Sequence, residues 1–106
     1  MPMAGVSLYS ATKAALDAIT ISLSKELGAK SIRINSILPG ATDTEGAQSV
    51  GVTTGSEYEK MFVVNTPLGR RGLPEDIAKA VVFLASDDAA WITREHISVS
   101  GGMYGF

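Results

Sequence analysis

The chain has 106 residues, a mass of 11.1 kDa and a net charge of −2, room for one domain of about two packed layers but not for separate cofactor and substrate domains. Hydrophobic residues make up 45% and charged residues 19%, below the usual charged share of about 25%, so the domain is short of polar cover. The Lys and Arg residues are scattered, which excludes a nucleic-acid footprint, and the absence of cysteine beside a lone His96 excludes a disulfide framework and a thiolate metal site.

The opening Met1-Pro2-Met3-Ala4-Gly5 has neither a basic nor an apolar signal region, and the longest apolar run, Ala80 to Ala85, is too short for a bilayer. A reducing, cytoplasmic setting with no membrane partner is therefore expected. Ser7 is a candidate N-cap, and Leu8, Ala15, Leu16, Ile19, Leu23 and Leu27 fall on one helical stripe that Gly28 would stop, which predicts a helix over 7–27. Ala11, Ala14, Ala18 and Ile21 form a second strip. It reads either as simple helix-favouring alanine or as a second buried face, against another subunit.

The β-branched run from Ile32 to Leu38, ending at Pro39-Gly40, predicts a strand over about 32–38. Residues 46–56 are a Gly/Thr/Ser/Val loop without period, and Glu57 to Val64 has a short helical pattern. Pro74 with Glu75 and Asp76 suits the first turn of a helix over about 74–86. After a turn at 87–92, His96, Ile97, Ser98 and Val99 alternate as a short strand over about 96–99, closed by Gly101-Gly102. Strand, helices and a second strand in this order predict an α/β fold with a right-handed crossover in a parallel sheet.

Tyr9 and Lys13 stand four apart at the start of the first helix and so share a face. Such a pair is ordinarily a solvated surface pair. Its functional reading is a phenol whose pKa an ammonium lowers, so that the tyrosinate acts as a general base. Bringing a phenol from about 10 to near 7 needs roughly 4 kcal/mol, whereas an exposed ion pair supplies about 0–1 kcal/mol. The pair works only in a cleft that excludes water, beside a cationic cofactor ring.

The string Tyr9-Ser10-Ala11-Thr12-Lys13 resembles the Y-x-x-x-K active-site helix of the short-chain dehydrogenase/reductase family. Ile32 to Gly40 followed by Thr44 is similar to that family's strand and P-G-x-x-x-T turn. Gly72 to Ala78, Phe83 to Ser86 and Ser100-Gly101-Gly102 resemble its later helix and last strand. The blocks follow the family's order from Ser7 to Gly102.

The resemblance implies an oxidoreductase with NAD or NADP as cofactor and a small carbonyl or alcohol as substrate. Tyr9 would be the general acid/base, and Lys13 would bind the cofactor ribose and depress the Tyr9 pKa. Pro39 and Gly40 would shape a turn in which the Thr42 backbone and the Thr44 hydroxyl bind the nicotinamide carboxamide. The ordinary reading of that turn needs no ligand at all. The 46–56 loop would belong to a substrate lid.

The sequence contains no Gly-rich dinucleotide turn, no Asn-rich central motif and no serine far enough before Tyr9 to match the family's catalytic serine. The expected fold is thus the carboxy-terminal portion of a Rossmann-like doubly wound sheet, its last two strands with flanking helices, incomplete as a stand-alone domain. The isolated chain is expected to be inactive and to associate as a homo-oligomer or with a complementary amino-terminal fragment. The alternative is a noncatalytic association module. His96 reads as structural or solvent-facing, Arg70 and Arg71 as a solvated loop in preference to a contact for an anionic substrate, and Trp91 with Phe106 as a subunit contact.

Overall fold

The computed structural model describes residues 7–40, 42 and 55–103, the side chains of 7–9 and 58 excepted. In chain order the elements are helix α1 (Ser7–Leu27), a 3-10 turn (Gly28–Lys30), strand β1 (Ser36–Pro39), helix α2 (Glu57–Val64), helix α3 (Pro74–Ala85), a second 3-10 turn (Asp87–Ala89) and strand β2 (His96–Val99). β1 and β2 pair in parallel, with Ser36 opposite His96 and Pro39 opposite Val99. A parallel pair requires a crossover, and α2 and α3 provide it.

Three local expectations need correction. α1 ends at Leu27, before Gly28, as expected, but Gly28 does not take the left-handed conformation; the chain adds one 3-10 turn, and Ser31 takes it instead at φ 58° with its N–H on the Gly28 carbonyl. A 3-10 turn satisfies the last carbonyls as well as a glycine would.

β1 begins at Ser36, not near Ile32. Opposite residues 32–35 the chain turns at Arg94, φ 65°, and side chains take over part of the ladder. The Ile34 N–H donates to Thr93 Oγ1, the Arg94 N–H to the Ile34 carbonyl, and the Glu95 N–H to Asn35 Oδ1. Arg33, meanwhile, reaches the carbonyls of Ser86 and Ile92. The polar Arg33 and Asn35 that interrupt the hydrophobic alternation are thus the residues that replace strand pairing.

The third correction concerns α1. Its stripe toward the sheet carries half-buried Lys13 and Asp17 with buried Thr20 and Ser24, whereas Leu16 and Ile19 of the apolar stripe are 48% and 52% exposed. The buried hydroxyls are satisfied within the helix, Thr20 on the Leu16 carbonyl and Ser24 on the Ile21 carbonyl.

α2 starts at Ser56, whose Oγ accepts the Glu59 N–H. α3 starts with Pro74 after Leu73, a residue with no polar side chain to cap it; Asp76 accepts the Leu73 N–H at 2.8 Å and provides the carboxylate half of a capping box. The Arg70 guanidinium beside Asp76, and then the Leu73 N–H, hold the Asp76 carboxyl well below 3.8, at about 2. A depressed folded-state pKa stabilises above the unfolded value and is lost as pH falls from about 3.8 through about 2. In circular dichroism titrations, Asp76→Asn is expected to unfold α3 more readily at pH 6, with the difference from the parent vanishing near pH 2. A gap that persists unchanged at pH 2 would contradict this.

Only Leu84 and Ala89 are buried apolar residues among those described. The surface is 7480 Å², against about 5,700 Å² for a compact monomer of this mass. Val82, Phe83, Leu68 and Val64 are largely exposed, and Trp91 is entirely so. The sheet and helices are assembled with their apolar sides open. Among the described residues no helix is long and apolar enough to cross a membrane.

Arg94 is strained as well as useful. Its left-handed backbone costs about 1–2 kcal/mol, against roughly 0.5–1 kcal/mol of unfolded-chain entropy that glycine would add. Arg94→Gly is therefore expected to raise stability by a few tenths to about 1 kcal/mol in urea unfolding; a lower midpoint would refute the strain assignment.

Candidate functional site

The site grows from the pinning of α1 to the sheet. Asp17 Oδ1 accepts a hydrogen bond from Ser36 Oγ at 3.3 Å and lies 3.2 Å from His96 Nδ1, while Ser36 Oγ and His96 Nδ1 are 2.7 Å apart. This knot joins the middle of the helix to the first residue of each strand. His96, expected to be structural or solvent-facing, takes part in a specific tie that its lone position in the sequence did not reveal.

From Asp17 back to Tyr9 the helix spans about 12 Å, and from Ser36 on to Gly40 the strand spans about 13 Å. The Ile32 N–H bonds the Leu27 carbonyl at the end of the helix and Ser36 bonds Asp17 at its middle, so from Ile32 to Ser36 the chain runs back along α1 in the opposite direction. The first turn of α1 thus reaches the level of Gly40, at the carboxyl end of the parallel strands, where open α/β sheets bind ligands. Lys13 is half-buried on the sheet-facing stripe. Tyr9, four residues earlier, belongs to the same stripe by position, and its side chain lies outside the described residues.

At the strand ends Gly40 donates its N–H to the Val99 carbonyl. A Cβ added to Gly40 would stand 2.7 Å from Ser100 Cα, so only glycine permits this approach. Gly101, at φ 62°, similarly lies where a Cβ would meet Thr66. Pro39, which has no N–H to give a ladder, takes the last position of β1. Thr42 Oγ1 closes the turn on the Gly40 carbonyl at 3.0 Å, and Thr42 pairs with Gly72 in an isolated parallel bridge. Thr44 and most of the 46–56 loop lie outside the described residues.

Arg70 and Arg71, expected as a solvated pair, separate. Arg70 is exposed and pairs with Asp76 at 2.8 Å. Arg71 is buried, its side chain 4% exposed, with Nη1 3.1 Å from Glu59 Oε2 and Nη2 donating to the Thr42 carbonyl at 3.0 Å. The other Glu59 oxygen accepts the Gly55 N–H. That N–H and the Arg71 guanidinium hold the Glu59 carboxyl below its usual range. Arg71 is therefore a scaffold of the Thr42 turn, which nothing in the doublet Arg70-Arg71 distinguished from its neighbour. The nearest signal was Gly72 beside it, a residue a bridge can approach.

Beside the strand ends Leu68, Arg70, Gly72, Asp76, Val99 and Ser100 line a cavity of about 200 Å³. Among the described residues no cluster of His, Asp or Glu has the arrangement of a metal site. None forms a Gly-rich turn leading into a helix, the device that holds a pyrophosphate.

A family model described as enoyl-(acyl carrier protein) reductase matches residues 1–104. The chain belongs to the short-chain dehydrogenase/reductase family. It is 52% identical over 103 residues to an uncharacterized oxidoreductase of Methylorubrum extorquens, covering 97% of this chain and 40% of that protein. It is 46% identical over 99 residues to the 3-oxoacyl-[acyl-carrier-protein] reductase of Chlamydia trachomatis, covering 93% and 38%. Among solved structures it is similar to a 4-hydroxyisoleucine dehydrogenase complexed with NADH and succinate, with a TM-score of 0.78 and 35% identity over 92% of this chain and 38% of that one.

This short-chain dehydrogenase/reductase chain thus spans about two fifths of the length of the relatives it matches. The expected α/β architecture, a part of a Rossmann-like domain with two parallel strands and flanking helices, is what the structure and its neighbours have.

Proposed function

We propose that this chain supplies the proton-transfer portion of an NAD(P)(H)-dependent oxidoreductase that interconverts a small carbonyl compound and an alcohol in the cytoplasm. The supporting observation is that the sheet-facing stripe of α1, fixed by the Asp17, Ser36 and His96 knot, carries Lys13 and the Tyr9 position toward the carboxyl ends of both strands. The described residues suit the nicotinamide end of a dinucleotide: a half-buried lysine on α1 and a turn at Gly40 and Thr42 held in a fixed conformation. They do not suit its pyrophosphate. NADH in a similar solved dehydrogenase supports the cofactor class.

When bound, the cofactor supplies the hydride. The chain's own residues do the rest. Tyr9 gives its phenolic proton to the carbonyl oxygen during reduction and takes it back during oxidation. Lys13 holds the ribose hydroxyls and favours the ionised phenol electrostatically. Thr42, with Thr44, orients the carboxamide, and Pro39 and Gly40 hold the turn that presents it.

The exposed Leu16, Ile19, Val82, Phe83 and Trp91 support a companion for these faces, a complementary amino-terminal segment or further copies of the chain. The same exposure is the observation that favours a noncatalytic association module as the second reading. A panel of ketones with NADPH or NADH separates the two. The purified chain alone is expected to show negligible turnover, because the cofactor lacks its phosphate anchor and Tyr9 stays in water. Joining it to the remaining portion of the Methylorubrum relative should restore reduction. A folded chimera without activity would reject the catalytic reading, and ordinary turnover by the chain alone would reject its dependence on a companion. Analytical ultracentrifugation gives the companion an independent check: a stable monomer at micromolar concentration would count against it.

A further inference from the structure

We infer that Arg71 is a positioning residue for the nicotinamide: through Glu59 and the Thr42 carbonyl it fixes the peptide on which the carboxamide is read. This deepens the function proposed above and rests on it. Three observations carry the inference. The Arg71 side chain is buried and already faces a carboxylate, so it is no receptor for an anionic substrate. Its two terminal nitrogens serve two different chain segments, Nη1 the Glu59 carboxylate on α2 and Nη2 the Thr42 carbonyl beyond β1. Gly72, the next residue, pairs with Thr42 from the same strand-like segment.

The planar guanidinium holds both acceptors in a fixed relation, which a lysine ammonium, a single point charge on a flexible stem, does not. Glu59 is itself fixed by the Gly55 N–H at 2.9 Å. Thr42 and Gly55 are therefore joined through two side chains, and the orientation of the Thr42 peptide depends on how α2 is docked. A peptide held in this way loses little freedom when a carboxamide binds to it, so the clasp contributes to cofactor affinity without touching the cofactor.

The test uses the full chain, labelled with 15N, and reduced nicotinamide mononucleotide, a probe that needs no adenine or pyrophosphate contacts. In the parent chain the probe is expected to shift the Gly40, Thr42 and Gly72 amides. Arg71→Met and Glu59→Gln should weaken that binding about tenfold and speed amide exchange at Thr42 and Gly72 at least tenfold, with Arg71→Lys recovering part of both. Lys60→Gln, which removes the exposed pair with Glu57 on the same helix as Glu59, should leave probe affinity unchanged.

Unaltered exchange in Arg71→Met and Glu59→Gln would overturn the clasp whatever the probe does. Equal weakening by Lys60→Gln would show general loosening and overturn the positioning role. If exchange responds as expected but the probe moves none of the three amides in the parent chain, the nicotinamide reading of the site fails, and the positioning role falls with it. Should Arg71→Met not fold, Arg71→Lys and Glu59→Gln carry the same comparison.

Discussion

Tyr9→Phe, in a chimera that joins this chain to the rest of the Methylorubrum relative, is expected to lower ketone reduction by roughly 10²–10⁴-fold while leaving cofactor affinity within a few-fold. The substitution keeps the ring and deletes only the transferable proton. The same energetic argument applies to its partner. An exposed ammonium contributes about 0–1 kcal/mol to ionising a phenol, far less than the roughly 4 kcal/mol required. Lys13 is half-buried against the sheet, where screening by water is weaker. Lys13→Met should therefore weaken cofactor binding as well as turnover, and move the basic limb of the kcat/KM profile to higher pH, since loss of a nearby cation disfavours the tyrosinate. Steady-state kinetics across pH would check both. Full activity in Tyr9→Phe would remove Tyr9 from the reaction, and an unmoved pH limb in Lys13→Met would remove the electrostatic role of the lysine.

Gly40→Val is expected to be the most damaging single change to the fold. Even the first added carbon would stand 2.7 Å from Ser100 Cα and 2.9 Å from Ser100 Cβ, and the nearer of these is backbone. Relief requires the carboxyl end of β1 to withdraw from β2 and to lose the Gly40 N–H bond to Val99. Overpacking of this kind costs typically about 1–3 kcal/mol, and a β-branched side chain lies at or above the top of that range. Gly40→Ala should fall near the bottom. In the chimera each kilocalorie corresponds to about 2–4 °C of Tm, so a differential scan should rank parent, Ala and Val in that order. A Gly40→Val protein that melts with the parent would mean that the strand ends are farther apart than described.

Much of the architecture was legible because the relevant signals are local. Pro74, Glu75 and Asp76 mark the start of α3, and the alternation from His96 to Val99 marks β2; both elements form within a residue of the expected spans. The helical pattern of residues 57–64 matches α2. What the sequence hid depends on residues far apart in it. Ile32 to Asn35 look like strand in isolation, but their partner segment turns at Arg94, and only that encounter decides that Thr93 and Asn35 side chains take the hydrogen bonds. Arg71 and Arg70 carry the same chemistry in neighbouring positions. One is buried because Glu59, twelve residues before it, and Thr42, twenty-nine before it, meet there. The stripe of α1 misled for a related reason: hydrophobicity marks a face as sticky, while the knot of Asp17, Ser36 and His96 decides which face turns to this sheet. Of the expected site, Pro39, Gly40, Thr42 and Lys13 lie among the described residues, with Pro39 and Gly40 at the carboxyl end of β1, while Thr44 and the Tyr9 side chain lie outside the description.

The register that sets Ser36 opposite His96 has a kinetic consequence. The two residues are 60 positions apart, so β1 does not meet β2 until α2, α3 and β2 have all been synthesised. Pairings of such long range pay their loop-closure entropy before any contact rewards it and form slowly. During that interval the edge of β1 that β2 will cover presents unpaired peptide groups beside Ile37 and Leu38, a template for other extended chains. A nascent polypeptide of this sequence is therefore more exposed to aggregation and to chaperones while β1 waits for β2, and a translation pause after Pro39 should lower its soluble yield more than one placed after Val99.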